Sequence, residues 1–267
     1  MTGAKPRLLV LYDKGSCGPL EIHGSLSPLA GLEFAIGRSE HARQAVPILE
    51  GLGTVRPIDD VLDDRAEVPA GGYAGVLTYS ERMLDDCSVL IERWDLPGHS
   101  TEVVAGLTDK SVQRARLARA GLGDVRSVPA RTADEFAAAF AEVGTPCVVK
   151  PVRGEGSRQT FRVLDPDEAR RLTGELTAEP GGTAPEHYVV EEMLRGEEPG
   201  PFADYVSVET ISRAGVHRTV GVTSKFPLAE PFRETGQLWP CHRPVSWQAE
   251  IERSSATCST RSACAGE

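Results

Sequence analysis

The sequence predicts a protein of mixed α/β and α+β class, with a parallel sheet first and antiparallel hairpins after it. Over the first hundred residues, short apolar runs such as RLLVLY (Arg7–Tyr12) alternate with stretches of amphipathic helical pattern. From Thr108 onward, strand pairs are joined by turns rich in glycine. Strands that alternate with helices indicate a parallel sheet covered on both faces, whereas turn-linked pairs indicate antiparallel pairing.

The first part of the chain is predicted to hold three strands and two capped helices. The strands cover residues 7–12, 32–36 and 73–79. Ser39 and Ser80 each precede an amphipathic stretch, and serine is a favoured N-cap because its side chain accepts a backbone hydrogen bond. No G-x-G-x-x-G motif follows the first strand, so the sequence gives little support for dinucleotide binding there.

The second part of the chain carries strong helix-end signals. Residues 108–121 are predicted to form a capped basic helix that ends at a glycine. Thr132 and Glu135 form a capping box before an alanine- and phenylalanine-rich helix, and Asp165 with Glu168 at N3 begins another helix. The remaining predicted segments are strands at 147–150 and 161–164, a Pro/Gly linker at 179–185, a strand at 187–194, and an antiparallel hairpin of 205–211 with 217–223.

Composition and charge exclude several classes of function. The chain has 29 Lys and Arg against 39 Asp and Glu, and this net charge of −10 disfavours binding to nucleic acid or an anionic membrane. No apolar run approaches the ~18 residues of a membrane span, and the N-terminus lacks a signal-peptide pattern. The six cysteines show no metal-ligand spacing. We therefore expect a cytoplasmic protein with no nucleic-acid or membrane partner and no zinc site.

The strongest local signal is a lysine beside a glycine-rich loop. A short apolar strand ends in Lys150, and the loop Gly154-Glu155-Gly156-Ser157 follows it. Backbone N–H groups of such a loop can bind phosphate oxygens, and the lysine adds positive charge. The alternative is a plain hairpin with a flexible tip and a solvated lysine. The lysine precedes the glycines, so the segment is neither a Walker A motif nor a kinase loop.

A second signal is the apolar strand VVEEMLRGEE, which ends in carboxylates. The pair Glu191 and Glu192 could line an adenine pocket, in which a carboxylate accepts from the exocyclic amine. A later carboxylate could accept from ribose hydroxyls. The alternative is an edge strand followed by an acidic, solvated turn, which is the commoner meaning of two adjacent glutamates.

Five segments in order resemble the ATP-grasp superfamily of carboxylate–amine and carboxylate–thiol ligases. The order and spacing carry this resemblance, since no segment is specific alone, and it covers residues 1–240. The segments are the helix start Thr108-Asp109-Lys110, the VVKP strand and glycine-rich loop about 40 residues later, VVEEMLRGEE about 40 beyond that, the hairpin at 207–225, and FRETGQLWP at 232–240.

The resemblance implies a role for each matching residue near the phosphates. Lys110 and Lys150 are expected to contact the ATP phosphates, and the glycine-rich loop to close over the β- and γ-phosphates. Lys225 is the expected catalytic residue, because it falls near a family lysine or arginine that faces the reacting phosphate. Glu209 and Glu234 are weaker candidates for the side of the acceptor substrate.

The resemblance also assigns the nucleoside end of the site. Glu191, with Glu192 beside it, is expected to take the adenine amine, and Met193 and Leu194 to offer backbone groups to the ring. Glu198 is expected to bind the ribose. The stretch PGPFAD that follows Glu198 departs from the family pattern, in which the next strand comes directly.

The domain organisation follows from the same resemblance. Residues 1–106 are expected to form a Rossmann-like pre-ATP-grasp domain, followed by an incomplete two-lobed ATP-grasp domain. Its first lobe, with the phosphate loop, would cover 107–185 and its partial second lobe 186–240, and 241–267 would be an atypical tail.

The resemblance implies an ATP-dependent carboxylate–amine ligase that works through an acyl phosphate, such as an amino-acid or dipeptide ligase. A biotin-carboxylase-like or nucleotide-precursor ligase is an enzyme alternative, and a non-catalytic ATP-binding remnant is an alternative of another class. The expected ligands are ATP, Mg²⁺, a small carboxylate and an amine acceptor, with a homodimer kept open. The family's metal ligands lie on a Glu-x-Asn strand, which does not occur here, so the metal site is expected to be incomplete.

The tail SSATCSTRSACAGE (254–267) has no apolar periodicity and holds two cysteines in seven residues. A GC-rich back-translation with one base restored after the Arg253 codon encodes an amphipathic helix with a glycine stop. We therefore expect residues 254–267 to be out of frame, with the chain truncated or frameshifted and inactive as written. Disorder of the tail is the alternative.

Overall fold

The computed structural model describes residues 5–64, 71–123, 125–154, 156–178, 183–196 and 200–264. The chain divides into two compact units, Met1–Thr108 and Asp109–Glu267. Among the described residues, no helix has the length and apolarity needed to span a membrane.

The first unit is a four-stranded parallel sheet with helices packed against it. Its strands follow the spatial order β3-β2-β1-β4. The strands are β1 (Arg7–Tyr12), β2 (Gly31–Ile36), β3 (Thr54–Pro57) and β4 (Gly75–Thr78). The helices are α1 (Pro19–Leu26), α2 (Glu40–Glu50), α3 (Ile58–Leu62), α4 (Leu84–Arg93) and α5 (Thr101–Thr108), with a 3₁₀ turn at Glu81–Met83.

Strand β1 is central to this sheet and is buried on both faces. Leu9 and Leu11 pack into one apolar cluster, and Val10 and Tyr12 pack into another on the opposite face. The predicted parallel sheet covered on both faces is confirmed, because alternating residues of one strand serve two separate cores.

The second unit contains two antiparallel sheets. The first has the strand order β5-β8-β6-β7 and the second the order β11-β10-β9. The strands are β5 (Ser127–Thr132), β6 (Cys147–Pro151), β7 (Phe161–Val163), β8 (Thr183–Glu192), β9 (Val206–Arg213), β10 (Val216–Lys225) and β11 (Gln237–Leu238). The helices are α6 (Lys110–Arg119), α7 (Ala133–Val143), α8 (Pro166–Leu176) and α9 (Val245–Cys264).

Helices α7 and α8 cover one face of the first antiparallel sheet. Phe136 of α7, Val149 of β6 and Tyr188 of β8 are fully buried in the cluster between them. The opposite face of the β6–β8 pair carries Lys150 and Glu191, because the register pairs Val148 with Glu191 and side chains alternate between faces. The packing of one face thus directs a lysine and a glutamate to the other.

Several predicted element ends are confirmed by the hydrogen bonds at the caps. Ser39 Oγ accepts from the Ala42 N–H, and Thr132 and Glu135 form the reciprocal capping box. Asp165 accepts from the first turn of α8. The predicted hairpin is also present as β9 and β10.

Other element boundaries differ from the prediction. Ser80 does not cap through its side chain, which donates to the Lys14 carbonyl oxygen instead, and α4 begins at Leu84 after a 3₁₀ turn. Strand β8 extends from Thr183 to Glu192, so it begins inside the predicted linker and ends before Met193. The last helix, α9, continues to Cys264, through most of the expected out-of-frame segment.

Candidate functional site

The second unit contains a cleft of about 890 Å³ that gathers many of the predicted site residues. It is lined by the end of β6, the glycine-rich loop, the segment after β8 and the segment 228–234. The predicted residues that line it are Lys110, Lys150, Gly154, Ser157, Met193, Leu194 and Glu234. A cleft of this size falls within the usual range for small-molecule sites.

Cationic side chains outnumber carboxylates among the described residues that line the cleft. Five cationic side chains and three carboxylates of these residues line it, although the whole chain has a net charge of −10. The cations are Lys110, Lys150, Arg158, Arg162 and Arg195, and the carboxylates are Asp204, Glu230 and Glu234. A cation-rich, concave surface concentrates anionic ligands.

Two lysines reach the cleft from different elements. Lys110 begins α6, where Asp109 caps the helix by accepting from the Ser111 and Val112 N–H groups. The Lys110 N–H donates to the Val152 carbonyl oxygen at 2.9 Å, which ties the start of α6 to the end of β6. Lys110 Nζ donates to the Gly154 carbonyl oxygen at 3.1 Å, so this lysine lies against the glycine-rich loop.

The glycine-rich loop has a left-handed backbone at several positions. Gly154 and Gly156 have φ of 143° and 64°, which favour glycine, and Ser157 and Gln159 have φ of 56° and 52°. Backbone with left-handed residues can turn N–H groups into a concave anion site. Glu155, predicted as part of the same loop, lies outside the described residues.

Glu191 is held by two cations rather than facing the cleft. Arg114 donates from Nε to Oε1 at 2.9 Å and from Nη2 to Oε2 at 3.2 Å, and Lys150 Nζ lies 2.6 Å from Oε2. Ser127 Oγ donates to Oε1 at 3.2 Å. Burial opposes ionisation of this carboxyl, but the bonds from Arg114 and Lys150 outweigh it and lower the pKa of Glu191.

The other predicted residues of the nucleoside end divide into two groups. Met193 and Leu194 line the cleft. Glu192 does not, since its side chain projects to the other face of β8 and accepts from Arg126 Nε at 3.0 Å. The hydrogen bond from Arg126 lowers the pKa of Glu192. Glu198 lies outside the described residues.

Lys225 ends β10 with its side chain almost fully buried. Its Nζ donates to Gln237 Oε1 at 2.9 Å and lies 3.3 Å from Glu234 Oε2. Glu209 lies apart from this group on β9, where it accepts from Ser207 Oγ. The structure therefore brings together two of the three predicted residues of the catalytic and acceptor side.

Trp239 packs over the bulge in β10. The pairing of β10 with β9 shifts register between Thr219 and Gly221. A Cβ at Gly221 would lie 2.4 Å from Trp239 Nε1, so the indole occupies the space that glycine leaves. Trp239 is nevertheless 66 % exposed.

Sequence reasoning missed several cationic residues of the site. Arg158 and Arg162 follow the glycine-rich loop closely and line the cleft, so basic residues close to this loop in the sequence could have indicated them. Arg114 gave no such signal, because its partner Glu191 is 77 residues away.

Among the described residues, the acidic side chains do not gather into a three-ligand metal cluster. Within the described ranges, no three His, Cys, Asp or Glu side chains come together as a group that could hold a metal ion. The carboxylates of Glu209 and Glu234 lie in separate hydrogen-bonded groups.

Comparisons with known proteins extend the description of the fold. No family model matches the chain. The chain is 26% identical over 199 residues to alanine–anticapsin ligase of Bacillus subtilis, which covers 69% of this chain and 42% of that protein. The chain thus spans about two fifths of the length of this curated relative.

Solved structures match almost the whole chain at low identity. The crystal structure of L-amino acid ligase from Bacillus licheniformis superposes with a TM-score of 0.71 and 18% identity over 98% of this chain and 61% of that one. The structure of carboxyaminoimidazole ribonucleotide synthase from Aspergillus clavatus complexed with ATP also gives 0.71, with 13% identity, over 96% and 63%. These similarities show that the chain has the ATP-grasp fold.

Proposed function

We propose that the cleft binds ATP and that the whole protein uses it to join a carboxylate to an amine through an acyl phosphate. The observation that carries the proposal is the convergence of Lys110, Lys150 and the glycine-rich loop on one cation-rich cleft. The similarity to alanine–anticapsin ligase and to L-amino acid ligase favours an amino acid as the carboxylate or the amine. The proposed use of ATP is consistent with a location of the protein in the cytoplasm, where ATP is supplied.

The triphosphate would lie along the cationic end of the cleft. Lys110 and Lys150 would each give a charge-assisted contact to a phosphate oxygen, and the loop Gly154-Glu155-Gly156-Ser157 would offer backbone N–H groups. The adenine would lie at Met193 and Leu194, whose backbone can serve the ring nitrogens, and Glu198 would bind the ribose. We assign the adenine contact to this backbone rather than to Glu191, because Glu191 is 3% exposed and its carboxylate pairs with two cations.

The chemistry requires activation of a poor electrophile. A carboxylate oxygen attacks the γ-phosphorus, the bond to the β-phosphate oxygen breaks, and ADP leaves. The amine nitrogen then attacks the acyl carbon, phosphate leaves with the former carboxylate oxygen, and the nitrogen loses a proton. Catalysis of this kind rests on positioning and on neutralisation of phosphate charge.

Lys225 is the residue that we propose to face the reacting phosphate. Lys225 is 7% exposed and its amine contacts Gln237 and Glu234, so these two residues hold it in place. Glu234 also lines the cleft and could orient the acceptor, and Glu209 remains a weaker candidate for that role. The described residues form no three-ligand metal cluster, and no step is assigned to a metal ion.

The proposal is tested by measuring binding and turnover together. ATP and ADP binding would be measured by calorimetry, and ADP release would be followed with a panel of amino acids, singly and in pairs. The Lys150→Ala variant is the control, since it removes the proposed phosphate contact. ADP release that depends on an amino acid supports the ligase, and release with bicarbonate or a ribonucleotide supports the alternative ligases. Binding without release identifies a non-catalytic nucleotide-binding protein, and no binding refutes the proposal.

A further inference from the structure

Arg114 and Glu191, neither of which lines the cleft, form a two-point ion pair beside it. Arg114 lies one turn after Lys110 on α6. Its guanidinium donates hydrogen bonds to both oxygens of the Glu191 carboxylate, at 2.9 and 3.2 Å. A two-point contact of this kind fixes the plane of a carboxylate, which a single ammonium cannot do. Arg114 therefore sets the orientation of Glu191.

Glu191 in turn holds Lys150. The Lys150 ammonium lies 2.6 Å from Glu191 Oε2, and Glu191 is buried, so little solvent screens this pair. Of these three residues, Lys150 lines the cleft and the other two do not. Arg114 can thus influence a ligand in the cleft through Glu191 and Lys150.

The charges of the three residues determine how Arg114 affects the charge that Lys150 presents. Arg114 and Lys150 carry two positive charges against the one negative charge of Glu191, so the group has a net charge of +1. Without Arg114 the group would be neutral, and the Lys150 ammonium would be the main counterion of a buried carboxylate. Lys150 would then offer less positive charge to the cleft.

The contacts that hold the start of α6 do not include the Arg114 side chain. The Asp109 side chain caps the helix, and the Lys110 N–H is bonded to the Val152 carbonyl oxygen at 2.9 Å. A substitution at Arg114 is therefore expected to leave the backbone beside the cleft in place.

We propose that Arg114 is a positioning residue for binding of the nucleotide phosphates: it orients and partly neutralises Glu191, so that Lys150 presents its charge to the cleft. This inference rests on the proposed nucleotide site and adds to it a residue that does not touch the nucleotide.

The test compares ADP with adenosine, which has the same nucleoside but no phosphate. Arg114→Met is expected to weaken ADP binding about ten-fold or more, the scale of one charge-assisted contact, and to change adenosine binding by less than about two-fold. The affinity of Arg114→Lys for ADP is expected to lie between that of Arg114→Met and that of the parent protein. Arg119→Met is the matched control, because it removes the same charge from an exposed position of the same helix.

Each outcome is decisive. Equal losses for ADP and adenosine in Arg114→Met would indicate a merely structural role and overturn the inference, as would unchanged ADP binding or an equal effect of Arg119→Met. If circular dichroism shows that Arg114→Met does not fold, Arg114→Lys is used in its place. The same comparison is then made between its loss of affinity for ADP and its loss of affinity for adenosine. A parent protein that binds neither ligand refutes the nucleotide site itself, and the inference with it.

Discussion

Ser157 Oγ donates a hydrogen bond to the Phe232 carbonyl oxygen at 2.9 Å, and this bond joins the glycine-rich loop to the segment 228–234, which also lines the cleft. Nearby, Arg162 of β7 pairs with Glu230 of the same segment at 2.8 Å. The Ser157 bond is half-buried, whereas both partners of the ion pair are exposed. The two links are therefore expected to differ in strength.

We predict that Ser157→Ala loosens the glycine-rich loop. Loss of the bond to Phe232 should allow trypsin to cleave after Arg158 several times faster, because the loop opens more often. Glu230→Gln is the control, since an exposed ion pair contributes at most about 1 kcal/mol and its loss should change the rate little. Peptide mapping of short digests measures both rates. Equal cleavage rates in the parent and Ser157→Ala would show that this bond does not hold the loop.

Lys150→Ala should weaken ATP binding more than Lys225→Ala. Lys150 lines the cleft beside the glycine-rich loop, whereas Lys225 is held by Gln237 and Glu234. Loss of a charge-assisted contact to phosphate should cost about 1.5–3 kcal/mol, which calorimetry resolves as a loss of about ten-fold or more. If both variants bind ATP as the parent does, the assignment of the phosphate site is wrong.

The second unit should lose stability as the pH falls below the usual range of a glutamate. The folded-state pKa of Glu191 is lowered, because the bonds from Arg114 and Lys150 outweigh burial. The stabilisation that it provides is therefore complete above the unfolded pKa of about 4.3 and is lost as the pH falls through the lower folded value.

Urea unfolding at pH 7 and at pH 3.5 measures this effect. Glu191→Gln, which cannot ionise, should show a smaller fall in stability than the parent between the two pH values. A fall of the same size in both proteins would assign the acid sensitivity to other groups.

A pair of glycine substitutions should have opposite effects on stability. A Cβ at Gly196 would lie 2.2 Å from the Asp204 carbonyl oxygen, so Gly196→Ala should destabilise the unit by about 1–3 kcal/mol. Gly174 lies inside α8 with nothing within 4 Å of an added Cβ. Gly174→Ala should therefore stabilise the unit by about 0.5–1 kcal/mol through helix propensity. Denaturant unfolding measures the stability of both variants. A Gly196→Ala variant as stable as the parent would contradict the close approach of Gly196 to the Asp204 backbone.

The sequence predicted best those features whose cause is local. Ser39, Asp165 and the Thr132–Glu135 box were predictable because each cap bonds within three residues. The VVKP strand and the glycine-rich loop were also predictable, because the lysine, the glycines and the apolar strand are adjacent in the chain.

Features that depend on distant partners were not predictable. Ser80 has the residue type of a cap, but its hydroxyl donates to the carbonyl oxygen of Lys14, 66 residues away, and helix α4 begins only at Leu84. Glu191 has the position of an adenine ligand in the motif, but Arg114 and Lys150 occupy its oxygens. Nothing in the spacing of one strand reveals which side chains another helix brings to it.

The packing of Trp239 over Gly221 gives the molecule an optical reporter. Of the three tryptophans, Trp94 lies in the first unit, stacked on Tyr73, while Trp239 and Trp247 lie in the second. Trp239 is mostly exposed and lies a few residues after the segment 228–234, which lines the cleft. A ligand that shifts this segment should therefore change the fluorescence of Trp239. In a Trp94→Phe variant all tryptophan emission would come from the second unit, so ligand entry could be timed by stopped flow without a label.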